Sequence, residues 1–137
     1  MRYLILFLAL GGLVVSTLAL RVHYSTGTEP CSINEKWDCG IVNHSSYAEV
    51  AHIPVAAIGI AGYLLLGLLA FGRRHILLAL AAVAGFGFAL HLSLIEKNVL
   101  MVWCLYCAIS QAIIAMILPL SFGWLVWVQI AAHRKAA

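Results

Sequence analysis

The sequence predicts an all-α membrane protein: a four-helix transmembrane bundle with one polar loop segment on its outer side. Three observations predict it. Of 137 residues, 64% are hydrophobic and 9% charged, whereas soluble domains are about half apolar and roughly a quarter charged. Eight Lys+Arg and five Asp+Glu stand where a soluble chain this long would carry about 34 charges, and the mean hydropathy is +1.03. Finally, four long apolar stretches recur along the chain, and a bilayer core of about 30 Å needs ~20 helical residues to cross it. So few charges cannot cover a water-facing surface. The composition excludes a nucleic-acid binder, a disordered tail and a cytosolic enzyme of ordinary make-up.

The first span is predicted over residues 3–20, which carry no charge. A rival reading as a cleaved signal peptide, with Thr17-Leu18-Ala19 as the small-x-small site, is disfavoured because the apolar run is longer than a usual signal core. The second span is predicted over 54–72, opened by Pro54, since proline suits a first helical turn whose N–H has no partner. The third covers 76–95 and is rich in Ala and Gly, small residues that let membrane helices approach closely. The fourth covers 99–128, with Pro119 as an expected kink. Arg2, the Arg73-Arg74-His75 turn and the His133-Arg134-Lys135 tail place both termini in the cytoplasm by the positive-inside tendency. The polar segment 21–53 then lies outside and is too short for a core of its own. The whole chain, 1–137, reads as one integral membrane domain.

This orientation gathers all four cysteines on one side. Cys31 and Cys39 lie in the outer segment, Cys104 and Cys107 at the outer end of the fourth span. Three readings compete. Structural disulfides are the default for an even cysteine count in an oxidising compartment. A four-thiolate zinc site usually pairs two short hooks, and only Cys104-Leu105-Tyr106-Cys107 has that spacing. Redox chemistry is favoured by that same pair: a C-x-x-C opening a helix sits near unsatisfied N–H groups and the positive end of the helix dipole. Both favour thiolate, the attacking species. As a mere staple, so short a loop gains little. Two thiol pairs suggest a relay to an acceptor within the bilayer, for which a quinone is the obvious choice. No G-x-G-x-x-G turn signals a nucleotide, and no C-x-x-C-H signals haem.

Cys31, Cys39, Ser45-Ser46-Tyr47-Ala48, Ile53-Pro54 and Trp103-Cys104-Leu105-Tyr106-Cys107-Ala108-Ile109-Ser110 occur in an order that resembles the vitamin K epoxide reductase (VKOR) family, and more narrowly its bacterial homologues. The resemblance runs from about Cys31 to Ala115. It implies a four-helix bundle with a quinone site at its outer end. It also implies oxidation of a thioredoxin-like periplasmic protein at the expense of a ubiquinone- or menaquinone-type quinone, with no metal or nucleotide. By the same resemblance Cys31 and Cys39 shuttle electrons, Cys39 exchanges with Cys104, Cys107 faces the quinone, and Ser45 supports the loop. Many bacterial members have Gly where this chain has His52. No fused thioredoxin-like domain is found in the sequence, so the expected partner is a separate protein. In DsbB, the other quinone-linked disulfide oxidase, the C-x-x-C lies in the first outer loop, an order that this chain does not follow. The alternatives are a non-catalytic membrane protein with two structural disulfides and a reductase acting on vitamin K epoxide or quinone.

Three further residues are candidates for quinone binding. Gln111 follows Cys107 by four residues and so shares its helix face; Ser110 adjoins it. Their competing role is to bond neighbouring helices. His91, an ionisable group one turn inside the third span, is a candidate proton donor, or else a neutral side chain bonded to backbone. Tyr63 reads as a packing aromatic, and His44 and His52 as solvated loop residues.

Overall fold

The structure is a computed structural model that describes residues 1–24 and 34–137. The first helix, α1 (Arg2–Tyr24), runs four residues past the expected end of its span, because Val22 buries its side chain and the basic Arg21 and His23 fall in the last turn, where cations suit the helix dipole. A short helix α2 (Cys39–His44) follows, then a 3-10 turn (Ser46–Ala48) and a minimal hairpin of β1 (Glu49–Val50) and β2 (Ile53–Pro54), antiparallel with Glu49 opposite Pro54. Ala51 and His52, the two residues between the strands, have φ of 51° and 66°. Two positive φ values in a two-residue connection are the signature of a type I′ turn, which normally takes Asn or Gly.

Helix α3 (Val55–Phe71) begins one residue later than expected, with Pro54 as its N-cap rather than its first helical residue. A tight turn through Gly72, Arg73 and Arg74 leads to α4 (His75–Ile95), which runs on as a π-helical turn (Glu96–Leu100) and stops at Met101, φ 55°. The last helix, α5 (Leu105–Ala136), contains Pro119 and starts six residues after the predicted onset at Val99. Val99 and Leu100 extend the preceding helix instead; the left-handed Met101 and the extended backbone of Cys104 (φ −99°, ψ 124°) separate the two.

Helix α1 packs against α3 and α5, and α4 against α3 and α5. Their shared core includes Ile5, Leu66, Leu78, Ile114, Ile117 and Trp124. The outward faces are apolar as well: Phe7, Leu10, Leu68, Phe71, Leu80 and Met116 are exposed. Apolar faces this extensive on long helices suit a lipid surrounding. Helix α1, α4 with its π-helical turn, and α5 are each long and apolar enough to cross a membrane, and α3 is a shorter apolar helix of 17 residues, about 26 Å at 1.5 Å per residue. The chain is a helical membrane protein.

Candidate functional site: a dithiol at the mouth of an apolar cavity

Two local devices assemble the site at the end of the molecule where 34–54 meets 96–107. The first is a backbone bridge. Trp103 donates its N–H to the Lys36 carbonyl at 2.7 Å, and Asp38 donates its own to the Trp103 carbonyl at 3.0 Å. The indole rings of Trp37 and Trp103 lie 6.3 Å apart. Asp38 also caps α2, its carboxylate accepting from the N–H groups of Gly40 (2.9 Å) and Ile41 (3.3 Å). The second device is a clamp from α1. The His23 ring contacts the Asn43 carbonyl through Nδ1 (2.6 Å) and the Glu49 carboxylate through Nε2 (3.2 Å). Both partners are acceptors, so the clamp is complete when both ring nitrogens carry a hydrogen.

Cys104 is the N-cap of α5, and Cys107 lies in its first turn. Cys104 is fully buried, whereas Cys107 is partly accessible. Both are free thiols, and their sulfurs are within hydrogen-bonding reach of each other. Asn43 Nδ2 donates to Cys104 Sγ at 3.5 Å. The Cys107 hydrogen bond holds the Cys104 thiol below the ordinary range, helped by N–H groups of Cys107 and Tyr106 at the helix start; burial and the Glu96 carboxylate push the other way. Glu96 is itself buried, accepting from the Cys104 N–H at 3.2 Å and reaching the Cys107 sulfur. Glu96 carries no motif of its own in the sequence, which also lacks a signal for the π-helical turn that folds this residue under the dithiol.

Beside Cys107 opens a cavity of about 350 Å³ among α1, α3, α4 and α5. Its walls are largely aliphatic and aromatic, including Leu66, Phe88 and Ile114, with a few polar groups near Cys107: Tyr63, Ser93, Ser110, Gln111 and Asn43. Tyr63, expected only to pack, donates its hydroxyl to the Ser110 carbonyl (2.9 Å) and shares a second hydrogen bond with Ser110 Oγ (2.8 Å). Ser93 donates to Gln111 Oε1 at 3.3 Å. Ser110 and Gln111 therefore do two things at once, tying helices together and lining the cavity. Size, apolar walls and few convergent polar groups fit a small apolar ring system.

The remaining sequence candidates divide. Ser45 caps α2, donating its hydroxyl to the Val42 carbonyl at 2.8 Å, and borders a second cavity of about 30 Å³ shared by Glu96 and Cys107. His91 is exposed on α4 and is not among the residues lining the large cavity. Cys31 lies outside the described residues. Cys39 opens α2, directly after the bridged Asp38. Among the described residues no three His, Cys, Asp or Glu side chains converge as metal ligands.

Apolar helices and a helix-opening dithiol over an apolar cavity define a membrane protein with a thiol site at one end of its helices. The family model described as the vitamin K epoxide reductase family, VKOR, matches residues 3–122, and the chain belongs to that family. It is therefore an oxidoreductase of the membrane. No curated protein matches the chain.

Proposed function

We propose that the chain is a bacterial-type member of its family, a dithiol:quinone oxidoreductase that spans an inner membrane four times. Both termini would be cytoplasmic and the cysteines would face the periplasm. It oxidises a separate thioredoxin-like protein and so sustains disulfide formation. Electrons pass from the partner to Cys31/Cys39, then to Cys104/Cys107, then to a ubiquinone- or menaquinone-type quinone.

One observation carries this reading: Cys107 is the member of the dithiol that borders the apolar cavity, while Cys104 is sealed from solvent on the side of α2. A soluble protein cannot reach Cys104 directly, and a lipid-soluble ring can reach Cys107. The bridge between Asp38 and Trp103 sets the start of α2, with Cys39, beside the start of α5. That arrangement supports Cys39 as the intermediary. The quinone, when bound, supplies the two-electron oxidation. The protein's residues do the rest: Cys104 is held ready as a nucleophile and leaving group, Tyr63 and Ser110 fix the cavity wall, and Gln111 presents its amide beside Cys107.

The test is turnover in lipid nanodiscs with a reduced thioredoxin-like substrate and a quinone. Quinone reduction is expected for the wild type and its loss for Cys107→Ala. Full turnover by Cys107→Ala would overturn the assignment.

A further inference from the structure

The buried carboxylate of Glu96 is not used by the electron path. It sits on the π-helical turn after α4, 3% exposed, in a chain with only five acidic residues. A buried carboxylate needs partners, and those of Glu96 are the two halves of the dithiol: it accepts from the Cys104 N–H at 3.2 Å and lies in hydrogen-bonding reach of the Cys107 sulfur. The small cavity beside it is lined by Val55 of α3, Leu92 and Ile95 of α4, Leu100, and Val42, Asn43, Ser45, Tyr47 and Ala48 of the segment after Cys39. Among the described residues, the titratable groups facing the carboxylate are thus Cys104 and Cys107 on α5 and Tyr47 from the 3-10 turn; no basic side chain lines that cavity.

We propose that Glu96 is the catalytic proton acceptor of the dithiol, taking the Cys107 proton as the disulfide closes and holding it until the pair is reduced again. The inference rests on the redox reading above. When both thiols are present, Cys107 S–H can donate to the carboxylate. When the disulfide forms, that donor disappears, and a buried carboxylate left with one N–H partner retains a proton because its charge is no longer compensated. On oxidation the Cys104–Cys107 S–S bond forms. Two electrons and the Cys104 proton leave to the quinone, whose second proton comes from water, and the Cys107 proton stays on Glu96. On reduction the Cys39 thiolate bonds to Cys104 Sγ, the S–S bond breaks, and Cys107 leaves as a thiolate that reclaims the proton from Glu96.

The proton inventory is measurable without quinone. Purified protein is equilibrated with reduced and oxidised dithiothreitol around neutral pH, and the Cys104–Cys107 disulfide is quantified by mass spectrometry. Oxidation of an ordinary dithiol releases two protons, matching those taken up by the reagent, so its exchange constant is independent of pH. If one proton is retained on Glu96, the net reaction consumes a proton, and the constant for oxidising the protein falls tenfold per pH unit of increase. Glu96→Gln is expected to give a flat profile and Glu96→Asp to restore the slope. In the Cys107→Ala background, Glu96→Gln is expected to trap as much Cys39–Cys104 disulfide as its parent, which reports an intact site. Turnover of Glu96→Gln with quinone is expected to fall about a hundredfold, typical of losing a positioned acid–base group. A flat wild-type profile, or an equal slope in Glu96→Gln, overturns the proposal. Absence of quinone reduction by the wild type would instead sink the functional reading, which the dithiothreitol profile does not address.

Discussion

The backbone N–H of Asp38 donates to the carbonyl of Trp103 at 3.0 Å, and the residue after each of them is a cysteine. Residues 65 positions apart are thereby locked so that α2 and α5 begin side by side, with Cys39 opening one helix and Cys104 capping the other. Asp38 adds its side chain as the cap of α2. Replacing an N-cap Asp by Ala costs about 1 kcal/mol, while Asn is an equally good cap. Asp38→Ala is expected to reduce severalfold the Cys39–Cys104 disulfide trapped in a Cys107→Ala background, and Asp38→Asn to preserve it, as read by mass-spectrometric mapping. Equal trapping in both variants would show that the cap does not present Cys39.

Cys104 is held below the ordinary thiol range chiefly by the Cys107 hydrogen bond. Cys107→Ala is therefore expected to move the Cys104 titration upward, measured by thiolate ultraviolet absorbance against pH. The sign for stability follows from linkage. A depressed folded-state value means that the native state favours thiolate, so the stabilisation is fully present above the ordinary thiol range and is lost as pH falls through the Cys104 titration. Thermal stability of the reduced protein should show that loss in the wild type and less of it in Cys107→Ala.

The Tyr63 ring fills the space where a Gly12 side chain would be: a Cβ built at Gly12 overlaps the ring itself. Tyr63 is anchored at its far end by Ser110, so it cannot retreat without breaking those hydrogen bonds. Gly12→Ala is expected to destabilise the protein by about 1–3 kcal/mol, the usual cost of overpacking, and to weaken quinone binding by deforming the cavity wall. Combining it with Tyr63→Ala should restore part of the melting temperature lost. A neutral Gly12→Ala would show that α1 and α3 separate freely.

His52 sits at φ 66° in the hairpin turn. A left-handed backbone costs a non-glycine residue roughly 1–2 kcal/mol, so glycine is the residue that fits this turn without that cost. His52→Gly is expected to raise stability by up to about 1 kcal/mol, seen as a higher midpoint in thermal unfolding, with turnover unchanged. A lower midpoint would mean that the imidazole makes a compensating contact.

Helix content, the membrane setting and the C-x-x-C at the start of the last helix were legible because composition and spacing encode them directly. The cavity position of Gln111 and Ser110 was legible too, since both follow Cys107 on one helix. Glu96 was not, because the π-helical turn that buries it carries neither Gly nor Pro, and Met101 adopts a left-handed conformation without the usual residue for it. Tyr63, Asn43 and His23 were missed for a different reason. Their importance comes from partners 20 to 61 positions away, and local patterns do not report such pairings. His91, singled out because an ionisable residue at membrane depth suggests chemistry, is exposed on α4 and is not among the residues lining the large cavity.

The central claim, that two electrons move from the loop cysteines through Cys104 and Cys107 into the apolar cavity, is tested most directly by mapping disulfides in membranes with and without quinone. With quinone, the wild type is expected to hold Cys104–Cys107 as a disulfide. Without quinone and with reduced partner, that bridge should open, and a Cys39–Cys104 species should accumulate in Cys107→Ala. Fixed Cys31–Cys39 and Cys104–Cys107 bridges, unchanged by quinone and without any Cys39–Cys104 species, would contradict the account.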